Sequence, residues 1–178
     1  TGPIRLGAEH NLGKVTNAEG VVRHSGTIDV SAAELGAAPG EVRITGEDVD
    51  ISGVIEAEGL GGGDGGAVLA AATRLMVLRQ SAVLNLSGGE TGSGGTAVVW
   101  SDKDTIFLGS IFGRGGAVAG DGAQVEVSGH GRLAFRGQVD LTVVHGTLGT
   151  LLLDPTDLTI QNGIGDSSDD GNDIFIGS

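Results

Sequence analysis

From Gly40 to Gly59 the chain reads as three short segments, each with two apolar residues two apart: Val42/Ile44, Val49/Ile51 and Ile55/Ala57. A period of two predicts strands with one buried face. The glycines between the segments permit sharp corners. The third segment's form, glycine or alanine followed by a spaced pair, recurs at Gly26, Gly53, Ala82, Gly109 and Gly137, at intervals of 27, 29, 27 and 28 residues. Its pairs are Ile28/Val30, Ile55/Ala57, Leu84/Leu86, Ile111/Gly113 and Val139/Leu141.

The other two segments repeat with it. First-segment pairs are Val42/Ile44, Val68/Ala70, Val98/Trp100, Val125/Val127 and Leu151/Leu153. Second-segment pairs are Val49/Ile51, Thr105/Phe107 and Leu133/Phe135, with His24 at an inward position of the first coil. In the third coil about three extra residues fall within 74–80, and both Leu75/Val77 and Met76/Leu78 fit the pattern. A meander of antiparallel strands would not return to equivalent positions every three strands. A right-handed parallel β-helix does, stacking each strand on its counterpart one coil away at about 4.8 Å.

The predicted fold is therefore an all-β right-handed parallel β-helix. It has about 27 residues and three short strands per coil, and five to six coils. Residues 1–160 form the repeats, with an irregular first coil over 1–39, and 161–178 form an acidic Gly/Asp-rich tail or linker. Corner loops fall at 58–66, 88–95 and 113–122, and the glycine run at 61–66 reads as a flexible corner. Trp100 is expected to stack inside between Ala70 and Val127, filling the core beside a small residue.

Composition narrows the function classes. Glycine supplies 35 of 178 residues, yet 39% of the chain is hydrophobic, which excludes a disordered linker. The net charge of −13 and the lack of a basic run weigh against nucleic acid and anionic lipid as partners. Cysteine is absent, so there are no disulfides or thiolate metal sites. No apolar run approaches bilayer length. The chain does not begin with Met and breaks off in repeat-like sequence at both ends, the expectation for a piece of a longer polypeptide.

Four runs carry a resemblance: Gly95-Thr-Ala-Val-Val-Trp-Ser-Asp102, Gly109-Ser-Ile-Phe-Gly-Arg-Gly-Gly116, Gln124-Val-Glu-Val-Ser-Gly129 and Gly149-Thr-Leu-Leu-Leu-Asp-Pro-Thr-Asp-Leu-Thr-Ile160. Over roughly residues 20–160 the chain resembles filamentous haemagglutinin-like exoproteins of two-partner secretion systems. The resemblance implies a right-handed parallel β-helix and export through an outer-membrane transporter partner. It also implies a secreted, cell-surface location on a Gram-negative bacterium, and a role in adhesion or biofilm formation. A host-cell or matrix glycan, a protein receptor or a biofilm polysaccharide would then be the partner. The amino-terminal secretion domain of that family is not among these residues. The family also includes haem-scavenging proteins and contact-dependent toxins, so the resemblance leaves the ligand open.

Several positions offer candidate chemistry. Asp102 and Asp104 flank Lys103 at a corner near Asp48 and Asp50, a pair of carboxylates that a carbohydrate-active enzyme would need. Arg74 and His130 at the same corner favour a solvated corner instead, and no enzyme is expected. The outward third-strand row Asp29, Glu56, Asn85, Phe112, Asp140 stacks like charges that calcium would relieve. Asp169, Asp170, Asn172 and Asp173 resemble one calcium-binding nonapeptide, which needs a second copy to complete its ligand shell. The histidines His10, His24, His130 and His145 show no ligand spacing, which leaves haem or metal capture a weaker alternative. Glycines 61–66 lack the Lys and Ser/Thr of a phosphate loop. A contact surface is expected on the outward first-strand positions Arg43, Leu69, Val99, Glu126 and Leu152.

Overall fold

The computed structural model describes residues 4–6 and 20–156, and every regular element among them is a strand. The first coil comprises β1 (Ile4–Leu6), β2 (Val21–His24) and β3 (Thr27–Asp29). The second comprises β4 (Glu41–Ile51) and β5 (Val54–Glu56), and the third β6 (Ala67–Leu78) and β7 (Val83–Asn85). The fourth comprises β8 (Thr96–Ser101), β9 (Asp104–Phe107) and β10 (Ser110–Phe112). The fifth comprises β11 (Gln124–Gly129), β12 (Arg132–Phe135) and β13 (Gln138–Asp140), and β14 (Thr150–Pro155) begins a sixth.

All pairings are parallel and join each strand to its counterpart one coil away. β1, β4, β6, β8, β11 and β14 follow one another along the first sheet, and β3, β5, β7, β10 and β13 form a separate five-stranded sheet. β2, β9 and β12 pair with the second halves of β4 and β6 or with each other. β4 and β6 run unbroken through the first corner and so join the first and second sets of strands. The result is a right-handed β-solenoid of about five turns at a repeat near 28 residues.

Side chains inside the solenoid stack in columns. Ile28, Ile55, Leu84, Ile111 and Val139 align along the third sheet, and His24, Ile51, Leu78, Phe107 and Phe135 along the second. Phe107 and Phe135 lie nearly parallel, with centroids 4.9 Å apart. A polar stretch of wall is closed internally: Ser101 hydroxyl donates to Thr105 Oγ1 at 2.8 Å, and Thr105 donates to Ser128 O at 2.7 Å. Buried polar atoms paired in this way avoid the cost of desolvation without a partner. His24 also faces inward, with Nε2 3.2 Å from Val54 O.

The third coil resolves to the Met76/Leu78 phase, both fully buried. Relative to β4, β6 carries one added residue opposite the step from Gly46 to Asp48. The rest of the expected excess lies at the next corner, where Ala82 N donates to Arg79 O across a turn.

In the fourth coil the expectation fails by one residue. Ala97 and Val99 point inward, each with no exposed surface, and Val99 stands between Ala70 and Val127 in the place expected for Trp100. Val98 and Trp100 face outward. Residues 97–100 are apolar throughout, so alternation alone could not choose a phase. The corner glycines choose it. Gly95 packs directly on Gly66, and a Cβ on Gly95 would lie 1.9 Å from Gly66 O. Counting two residues on from that level gives Val68 and Ala97 as equivalents.

The run 61–66 is not a loose loop either. Gly59 N donates to Ser87 O, Gly65 N to Ser93 O, and Gly89 N back to Gly63 O, at 2.8 to 2.9 Å. The corners of later coils continue this ladder through Gly94, Gly116, Gly120 and Gly122. Where the backbone turns away, side chains complete it: Asp64 Oδ1 accepts from Ser93 N, Ser93 Oγ from Asp121 N, and Asp121 Oδ1 from Thr147 N.

Phe107→Ala should cost about 3–5 kcal/mol in urea denaturation, and Trp100→Ala less than half as much. Equal losses would place the indole inside. Gly92→Ala, whose Cβ would meet Gly63 O at 1.9 Å, should cost about 1–3 kcal/mol. Gly26→Ala, with nothing within 4 Å, should stay within about 0.5 kcal/mol of the parent.

Candidate contact surfaces

The outward residues of the first sheet are fixed by its register. One row is Arg43, Leu69, Val98, Glu126, Leu152, and beside it runs Thr45, Ala71, Trp100, Ser128, Asp154. Four of the five positions expected in the contact row are there. Val99 is not, because the one-residue phase change sends it into the core and puts Val98 in its place. The change also brings Trp100 onto the outer face, where Trp100 and Leu69 pack over Ala71 and leave it 3% exposed. Leu152 is half exposed. Glu126 accepts from Ser128 Oγ at 2.7 Å. Arg43 is only 9% exposed, and its Nε and Nη2 are buried without a hydrogen-bond partner.

The outward row of the third sheet is the expected one: Asp29, Glu56, Asn85, Phe112, Asp140. Its chemistry alternates from coil to coil. In the first, third and fifth coils the Asp or Asn accepts a bond from the backbone N–H two residues on, at Ser31, Ser87 and Thr142. These are Asx turns, which end the strand. In the coils between, the residue two beyond the strand carries a long charged side chain that reaches its neighbour's Asx group. Asn85 Nδ2 donates to Glu58 Oε1 at 2.7 Å, and Arg114 donates to Asp140 Oδ2 at 2.6 and 2.8 Å. The Arg114 guanidinium also lies 5.2 Å above the Phe112 ring. Glu58, Asn85, Phe112 and Arg114 line an open groove with Ser87 and Thr142.

The charges of this row are unequal. Arg114, with help from Thr142, holds the Asp140 carboxyl at about 2. The Ser31 hydrogen bonds lower that of Asp29. Glu56 goes the other way: partial burial, then Glu58 and Asp29, raise it, against a smaller lowering from Asn85. Its Oε2 is buried without a partner.

The corner holding Asp102 and Asp104 does not gather acids. Asp104 stands in register between Leu75 and Arg132. Asp48 lies one strand further, ion-paired to Arg74, which also approaches Glu47 at 3.5 Å. Asp50 accepts both arms of Arg79 at 2.7 and 2.8 Å. His24, His130 and His145 sit apart, in the core of the first coil and at two different corners of the fifth. Among the described residues no group of three or more His, Asp or Glu side chains is placed to hold a metal ion. Asp169, Asp170, Asn172, Asp173 and His10 lie outside the described residues. No family model matches the chain, and no curated protein matches it.

The two carboxylates give opposite pH signatures. The raised Glu56 contributes stability below its ordinary value and loses it as pH rises through the folded value. Glu56→Gln should therefore be more stable than the parent at pH 7 and indistinguishable from it at pH 3. The lowered Asp140 contributes stability above its ordinary value of 3.8 and loses it as pH falls toward 2. Asp140→Asn should cost at most about 1 kcal/mol at pH 7, the range for an exposed ion pair. Denaturation midpoints at the two pH values check both signs.

Proposed function

We propose that the chain is a non-enzymatic adhesive and display segment of a secreted bacterial surface exoprotein of the filamentous haemagglutinin type. In this reading it is exported through an outer-membrane transporter partner and serves adhesion or biofilm formation. The observation that carries the reading is the hydrogen-bonded corner. The loops that vary most between coils are tied backbone to backbone, so each is held at a set spacing along a rigid rod. Exposed Leu35, Val118, Val144 and Leu148 project from these corners, and the outer face of the first sheet adds an apolar row. Repeated weak contacts at set spacing add by multivalency without a deep pocket. The four sequence runs that resemble the exoprotein family support the same assignment. A glycan, a protein receptor or a matrix polysaccharide would be the partner.

Beads coated with the purified 178-residue chain should adhere to host-cell monolayers or biofilm matrix at least tenfold more than albumin-coated beads. Incubation of the chain with polysaccharides should release no reducing ends. Release that disappears in the Asp102→Asn, Asp104→Asn double variant would overturn the reading in favour of a carbohydrate-active enzyme. A stoichiometric haemin spectrum on titration would favour haem capture.

A further inference from the structure

Arg43 is the residue that the scaffold leaves unexplained. The residue is nine-tenths buried, and a cation with two guanidinium nitrogens lacking acceptors is costly unless an anion closes on it. Its neighbours across the sheet are Arg5 on one side and Leu69 on the other, so neither adjacent strand supplies a carboxylate. Glu126 lies three strands away in the same row and is held by Ser128. Glu41, two residues earlier on the same face, is exposed and leaves both nitrogens unpartnered. On the side toward β8 the surface is apolar: Leu69, then Val98, with Trp100 beside them over Ala71.

We infer that this face binds an extended peptide of a partner protein through a carboxylate that pairs with Arg43, the peptide's apolar side chains lying on Leu69, Val98 and Trp100. This rests on the reading of the first sheet's outer face as a contact surface and names the chemistry of what it contacts. Three features favour a peptide. The guanidinium presents a planar fork that matches one carboxylate. Low local dielectric beside Leu69 strengthens that pair relative to one in water. Beyond it, Arg43 and Val98 are two strand spacings apart, about 10 Å, which residues two or three apart in an extended chain would span. A polyanionic glycan would instead bring many charges to a chain of net charge −13 and would meet aliphatic side chains, which do not pair with its hydroxyls.

The test uses the full chain with a fluorescein-labelled acetylated peptide, Leu-Ser-Glu-Ser-Leu, and its Gln counterpart. The Glu peptide should bind at least tenfold more tightly than the Gln peptide by fluorescence anisotropy, and Arg43→Met should abolish that preference. In the ligand-free chain Arg43→Met should hold or raise the melting temperature, because an apolar side chain of similar length replaces an unpaired buried charge. A melting temperature lower by several degrees would mean that Arg43 already has an acceptor within the chain, and would overturn the proposal. Equal affinity for the two peptides would overturn it as well. So would Arg43-dependent binding of oligogalacturonate with none of the peptide. Coated beads that still adhere while the peptides fail would retire this proposal and leave the adhesive scaffold standing. Peptide binding without bead adhesion would support this proposal and count against the scaffold reading alone.

Discussion

Everything in this molecule follows from the hydrogen bond between one coil and the next. Parallel strands stack at about 4.8 Å, and a solenoid must keep that spacing around its whole perimeter, corners included. At the corners an ordinary side chain would strike the neighbouring backbone. A Cβ on Gly65 would fall 2.0 Å from Leu86 O, and one on Gly120, already at φ +125°, 1.9 Å from Gly92 O. The high glycine content is thus a packing requirement of stacked corners. It does not loosen the chain.

The same spacing constrains charge. Acidic residues recur in register, so their repulsion must be met within one coil of where it arises. Asp48, Asp50 and Asp140 each receive an arginine from an adjacent coil. On the third sheet the arrangement takes two coils: Asx turns in odd coils alternate with long charged side chains in even ones. Glu56 has neither an arginine nor a turn, and its raised protonation range reflects that. Arg43 is the inverse case on the first sheet, a buried cation without an acid. Arg43 and Glu56, each with a buried atom left without a partner, lie on different sheets, and Arg43 lies beside the apolar row.

The proposed display role draws on this same regular spacing. Carboxylates around the corner of Asp102 and Asp104 are separated by Leu75 and by the arginine that holds Asp48. The apolar row and the corner tips, by contrast, repeat along the rod axis, which is the geometry that multivalent contact uses.

Much of this was legible in the chain alone. Four near-equal intervals and alternating pairs were enough to determine a three-stranded coil, the parallel stacking and the whole outward row from Asp29 to Asp140, because in a solenoid local period and global register are the same quantity. The phase of residues 97–100 was not legible from alternation, since four apolar residues in succession fit either face. The signal that could have settled it was the corner glycine: two residues after Gly40, Gly66, Gly95 and Gly149 come Val42, Val68, Ala97 and Leu151, all inward. Tertiary structure alone decided two further points. Trp100 became a surface residue because the corner register left the column between Ala70 and Val127 to Val99. Arg43 became a buried charge because burial depends on what surrounds a side chain in three dimensions, and no one-dimensional pattern records that.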